Sequence, residues 1–299
     1  MSVDGDNSPR RSSPWLRYLQ TGIVPRVLVI AVSAPCLFII TWRGGIFFLL
    51  LIDLIILLGL REFYQLLAAK GYRPYKVLGI GCGLAITWYV YWGGEAISLF
   101  LTLTLLLIMI RELFRRDRAH SLHHIATTVL GVLYVGWLAS HLIMLRGLPD
   151  AVGVVEPRVV AGYGNLGARL VFFVAAVTWA GDVAAYMVGV AFGSRPLLPQ
   201  VSPHKTIEGA LGGLLGSAAA GLLCAGPLVP LTSLAGVLVG LSGGVLGQLG
   251  DLTESLLKRD VGIKDTAGLI PGHGGVLDRF DSLLFSGPLL YYYFRFFVV

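Results

Sequence analysis

Charge is what this 299-residue sequence has least of. Asp, Glu, Lys and Arg make up 13% of it, against the ~25% of a soluble globular domain. With 56% hydrophobic residues and a mean hydropathy of +0.77, that scarcity excludes a water-soluble domain and implies a polytopic membrane protein. Cysteine is nearly absent. Cys36, Cys82 and Cys224 each lie in an apolar run without ligand spacing or a pairing pattern. They read as small packing residues, not as a zinc site or a disulfide framework. A long soluble domain is missing as well, and the largest external loop, about 146–167, is a simple connection. No internal repeat is present, which weakens a transporter built from inverted halves.

What is there in quantity is apolar sequence in runs near the ~20 residues that cross a bilayer. Nine runs are read, at about 24–42, 45–61, 76–93, 95–111, 125–145, 168–192, 208–226, 230–250 and 282–299. They predict an all-α integral membrane bundle. The first two are short and close, so one re-entrant hairpin is an alternative for them. Residues 1–22 form a polar tail rich in Pro, Ser and Arg. Pro35 and the lack of a small-x-small cleavage site argue against a signal peptide, so the first span is expected to be retained. Residues 23–165 then form the N-terminal helices, and 166–299 hold nearly all the polar residues that are expensive in lipid.

The net charge of +6 points to cytoplasmic loops rather than to nucleic acid. With the N-terminus inside, 18 of the 23 Lys and Arg residues fall on the cytoplasmic side. That asymmetry predicts N-in and C-out, with the 251–281 segment as a loop facing the cytoplasm.

Three polar clusters interrupt the second half. In Trp179-Ala-Gly-Asp182-Val-Ala-Ala-Tyr186, Asp182 falls within an apolar span, and Tyr186 lies four residues on, on the same helix face. A carboxylate at that depth needs pairing, hydration or a proton. It reads as the wall of a site, with a purely structural pair as the alternative. In Ser202-Pro-His204-Lys205-Thr206-Ile-Glu208-Gly209, a helix start beside Lys205 makes an anion site, and Ser202 and Thr206 offer hydroxyls. Glu208 would fall in the first turn, where the helix dipole alone also favours a carboxylate.

The third cluster runs from Asp251 to Ser282. Asp251 and Glu254, and again Asp278 and Asp281, stand three apart, each pair suited to one helix face. Around them are Lys258, Arg259, Lys264, Asp265, Arg279 and the turn Gly272-His273-Gly274-Gly275. Packed carboxylates call for a cation. Oxygen ligands with open positions suit Mg²⁺, which takes a few carboxylates plus substrate phosphate. Fixed cations and glycine N–H groups suit the phosphates. His273 either orients a phosphate or caps the turn. The reading is chemistry on a polyphosphate at a membrane surface.

The segment S-L-L-K-R, four residues on K-D-T-A-G-L-I-P-G-H-G-G-V-L-D-R-F-D, resembles the signature of the phosphatidate cytidylyltransferases. W-A-G-D-x-x-A-Y and S-P-H-K-T-x-E-G are similar to the family's upstream blocks, although His204 stands where a second Lys is commoner. The resemblance implies the reaction of CTP with phosphatidate to give CDP-diacylglycerol and pyrophosphate. It implies Mg²⁺, with K⁺ as a candidate second cation, and metal-binding carboxylates at Asp251 and Asp278 with Asp281 close by. On that reading Asp251, Lys258, Arg259, Lys264, Asp265, His273, Asp278, Arg279 and Asp281 are the catalytic candidates. Asp182, Tyr186, Ser202, Lys205, Thr206, Glu208, Gly274 and Gly275 would contact substrate. The lipid bilayer is the third partner, and a homodimer is expected from the glycine faces and the family. Another CTP-using lipid enzyme is the nearest rival. An anion transporter leaves the Asp- and Gly-rich segment unexplained, and the D-G-x2-A-R helix motif of the CDP-alcohol phosphotransferases is absent.

Overall fold

A computed structural model describes residues 24–94, 96–116, 119–152, 163–262 and 275–298. Almost everything in it is helix. The helices are α1 (Val24–Arg43), α2 (Gly45–Ala69), α3 (Lys76–Tyr91), α4 (Ile97–Leu113) and α5 (Ser121–Gly131). A π-helical stretch, Val132–Trp137, joins α5 without a break to α6 (Leu138–Val152). Then follow α7 (Leu166–Phe192), α8 (Ile207–Cys224), α9 (Ser233–Asp260) and α10 (Leu277–Phe297). A small hairpin, β1 (Pro196–Leu198) and β2 (Ser202–Thr206), links α7 to α8, with Pro196 opposite Thr206 and Leu198 opposite Ser202.

Among the described residues four helical stretches are long and apolar enough to cross a membrane: Ser121–Asp150, Leu166–Phe192, Ile207–Cys224 and Ser233–Asp260. Their surfaces are reversed relative to a soluble bundle. Helix α8 turns Leu211, Leu215 and Leu223 outward and buries Gly209, Gly212, Gly213, Ser217 and Gly221. Lipid gives no hydrophobic reason to bury leucine, so small residues take the inside, where backbones can approach. A Cβ on Gly240 of α9 would stand 3.2 Å from the Cα atoms of both Ala218 and Gly221 on α8. The Ser217 hydroxyl donates to the Val177 carbonyl of α7 (2.9 Å), so α7, α8 and α9 form one tight layer.

Contacts sort the helix ends into two groups. At one end Tyr75 donates to Thr128 (2.9 Å) and Glu112 (2.6 Å), Lys70 pairs with Asp260, and Glu62 receives the first amides of α10. At the other, Arg146 donates to the carbonyls of Thr41 (2.9 Å) and Trp42 (3.1 Å), Asn165 to Trp42 (2.6 Å), and Tyr163 to Gly226 (2.6 Å). Successive long helices therefore run in alternating directions.

Three sequence expectations change. The first two apolar runs form helices of 20 and 25 residues, turned at Gly44 with φ 66°, and the second continues eight residues past the run that ends at 61. Helix α9 continues ten residues past 250, so Asp251, Glu254, Lys258 and Arg259 are helical rather than in a loop. Helix α10 begins at Leu277, which puts Asp278 in its first turn. The physical reason is the same for these extensions: charged residues extend the helix where it leaves the apolar layer, beyond the end of the hydropathy run. The tail at 1–22 lies outside the described residues.

The α8–α9 contact has no room for a side chain. Replacing Gly240 by Leu should destabilise the protein by about 1–3 kcal/mol, read as a lower melting temperature in detergent. An unchanged melting temperature would mean that this contact is not a tight one.

Candidate active site

The three clusters of the second half meet at one end of the bundle. Together they line a cavity of about 680 Å³. Helix α7 contributes Asp182 and Tyr186, the β2 strand Ser202, His204, Lys205 and Thr206, α9 Gln248 and Asp251, and α10 Asp278, Asp281 and Ser282. Val190, Leu197 and Leu252 make an apolar flank.

Local structure explains each placement. Thr206 ends β2 in an extended conformation and its hydroxyl accepts the Gly209 N–H (3.1 Å), which caps α8. That cap fixes Lys205 one residue earlier, where its ammonium pairs with Asp251 on α9. The hairpin is tied down from both sides. Arg259 donates to the Val201 carbonyl (3.2 Å), and the Glu208 carboxylate accepts the Ser194 and Arg195 amides (3.1 and 3.2 Å) and the Ser194 hydroxyl (2.8 Å).

Asp278 accepts from the Lys258 ammonium (3.0 Å) and from the Gly275 N–H (3.4 Å). Asp281 is buried, and its carboxylate takes the Ser282 N–H (2.6 Å). Behind them Glu254 is buried, 3.6 Å from Lys258, and its Oε1 has no hydrogen-bond partner among the described residues. Four Asp side chains on the wall and a buried carboxylate behind it exceed the local cations Lys205 and Lys258. Like charges so placed call for protons or a further cation.

Most sequence-predicted residues converge, though not all do so on the cavity. Asp182, Tyr186, Ser202, Lys205, Thr206, Asp251, Asp278 and Asp281 line it. Lys258 sits behind Asp278 and acts through it. Arg259 and Glu208 hold the hairpin and are not among the residues that line this cavity. Gly275 serves Asp278. Arg279 is exposed on the first turn of α10. Lys264, Asp265, His273 and Gly274 lie outside the described residues.

Sequence reasoning passed over several residues. Gln248 reaches the Ala210 carbonyl (2.9 Å) from the cavity wall, and His204 and Ser282 also line it. Glu62, far off in the chain, accepts the Val276 and Leu277 amides. Its sequence signal was weak, because Glu62 stands beside Arg61 just past the end of the apolar run at 45–61.

The layout is that of an enzyme handling a polyanion at the edge of an apolar bundle. A model of the cytidylyltransferase family matches residues 24–297, and the chain belongs to this family. It is 37% identical to a phosphatidate cytidylyltransferase of Synechocystis over 280 residues, which span 90% of this chain and 95% of that relative. It is 32% identical to a phosphatidate cytidylyltransferase of Bacillus subtilis over 254 residues, covering 80% and 86% of the two chains. A chloroplastic phosphatidate cytidylyltransferase of Arabidopsis thaliana is 32% identical over 276 residues, covering 86% of this chain and 68% of its own.

Two substitutions separate wall from scaffold. Lys205→Met should raise KM for the nucleotide by about tenfold, the worth of one charge-assisted hydrogen bond. Glu208→Gln should leave KM nearly unchanged and lower the melting temperature instead. The reverse pattern would exchange their roles.

Proposed function

We propose that this chain is a phosphatidate cytidylyltransferase, joining CTP and phosphatidate to give CDP-diacylglycerol and pyrophosphate. The observation that carries this reading is the convergence of Asp182, Asp251, Asp278 and Asp281 with Lys205 in one cavity with an apolar flank. Such a site receives a phosphate-bearing lipid from one side and a nucleotide from the other.

A phosphatidate oxygen attacks the α-phosphorus of CTP. The new P–O bond forms as the bond to the β-phosphate bridging oxygen breaks, and pyrophosphate leaves with that electron pair. A phosphate monoester is largely dianionic near neutral pH, so no strong general base is required. The difficulty is bringing two polyanions together. Lys205, at the start of α8, is placed to bind phosphate by exchanging its partner Asp251 for substrate oxygen. Ser202 and Thr206 line the same wall, and Tyr186 and Val190 face the acyl chains.

Hard carboxylate oxygens, and a buried Glu254 oxygen without a hydrogen bond among the described residues, fit Mg²⁺. Among the described residues no group of three or more His, Cys, Asp or Glu side chains forms a ready-made metal cage. Mg²⁺ commonly binds through one or two carboxylates and the substrate's phosphates. Asp251 and Asp278 would hold the ion, with Asp281 close by, and when bound it would neutralise the leaving pyrophosphate. K⁺ is the proposed companion cation. The protein's own part is to keep these oxygens fixed through Lys258, Gly275 and the α9–α10 contact.

Nine crossings with the N-terminus in the cytoplasm complete the reading, and the alternating helix directions and the Lys and Arg excess at the site end support it. The site would then face cytoplasmic CTP at headgroup level.

Purified protein in detergent, given CTP, Mg²⁺ and dioleoyl phosphatidate, should release pyrophosphate and form a CDP-lipid only when all three are present. Release without a CDP-lipid, or none from folded protein, would overturn the assignment. Asp278→Asn and Asp251→Asn should each lower turnover by at least ~100-fold while melting like the parent protein. Near-normal turnover in either would remove that aspartate from the site.

A further inference from the structure

The acid-bearing end of α10 is held by a residue from the other half of the chain. Glu62 lies near the end of α2 with a relative exposure of 2%. One carboxylate oxygen accepts the Val276 N–H (3.0 Å) and the other accepts the Leu277 N–H (2.9 Å). These are the amides at the very start of α10, where a helix has no internal acceptor for its N–H groups and carries partial positive charge. The α10 N-cap position, Val276, supplies no side-chain cap of its own. Glu62 therefore does from across the bundle what an N-terminal Ser or Asp does locally.

Asp278 follows Leu277 by one residue and Asp281 stands one turn on. Any slip of that first turn would move both cavity carboxylates. The surroundings of Glu62 are built to prevent a slip. Leu277 is buried in the same apolar cluster as Leu60 and Phe63, which flank Glu62 on α2. One further turn or two along α2, Lys70 pairs with Asp260 at the end of α9 (2.5 Å). That hydrogen bond holds the Lys70 ammonium above its ordinary pKa. Helix α2 and its C-cap residue Lys70 thus grip the ends of both acid-bearing helices, α9 and α10.

We infer that Glu62 is a positioning residue that sets the register of Asp278 and Asp281 for the metal-bound nucleotide. This rests on the cytidylyltransferase reading of the cavity. Partners of this kind, one step behind the ligating oxygens, change metal affinity or activity by about 10–100-fold when removed.

The test uses the full-length protein in detergent and three readouts on Glu62→Gln and Glu62→Ala. Hydrogen exchange at the 275–278 amides reports the grip itself. Mn²⁺ affinity in the presence of CTP, read by the loss of the free-ion EPR signal, reports the carboxylate geometry without turnover. Cytidylyl transfer per folded molecule reports catalysis. Glu62→Ala should speed exchange at those amides and weaken Mn²⁺ by about tenfold or more. It should lower kcat and leave KM for phosphatidate unchanged. Glu62→Gln, which keeps one acceptor oxygen and the side-chain shape, should fall between and secure the result should the alanine variant misfold. Unchanged Mn²⁺ affinity and kcat in folded variants would reduce Glu62 to a packing residue and leave the function reading intact. A parent protein that binds Mn²⁺ but makes no CDP-lipid would sink the function reading, while a drop in Mn²⁺ affinity in the variants would still establish Glu62. A parent that does neither would overturn both.

Discussion

Like charge gathered at the end of an apolar bundle is the constraint on which this structure depends. Asp182, Asp251, Asp278 and Asp281 face one cavity, and Glu254 is buried behind them. Carboxylates repel one another and resist leaving water. Three of them are accordingly held by a named partner: Lys205 on Asp251, Lys258 and the Gly275 amide on Asp278, the Ser282 amide on Asp281. The holders are not enough to neutralise the cluster. The deficit suits a cation and a substrate that brings one.

Rigidity for that arrangement comes from the glycines of α7, α8 and α9. In lipid, helices associate by close van der Waals packing, and small residues allow it. Gly221, Gly236 and Gly240 bring α8 and α9 into backbone contact, and Gly181 lies against Ser217. Close-packed layers respond to strain as units instead of deforming smoothly. The site is thereby built on helix ends and a strapped hairpin, with Glu208 and Arg259 as the straps, and not on loose connections.

Much of the site was legible in residue types. In so apolar a chain each carboxylate and lysine of the second half needed a reason, and Asp182, Lys205, Asp251, Asp278 and Asp281 do share one cavity. The i,i+3 spacing of Asp251 with Glu254 and of Asp278 with Asp281 became true helix faces once α9 and α10 proved to extend through them. Hydropathy misplaced those helix ends because it measures where lipid ends, whereas hydrogen bonding decides where a helix ends. Glu208 and Arg259 were equally suited by type to substrate or to scaffold, and only their partners Ser194 and Val201 decided it.

By itself the sequence determined the class: apolar runs long enough for a bilayer, a polar segment of phosphate-binding and metal-binding residue types, and a charge excess at one set of loops. Those are properties of composition and spacing, which local physics reads directly. The tertiary structure alone decided which side chains face the cavity, which stand behind it, and that Glu62, more than two hundred residues before α10, caps the helix that bears Asp278. Contacts across that separation depend on how whole helices pack, and nothing in the neighbouring residues of either partner encodes the other.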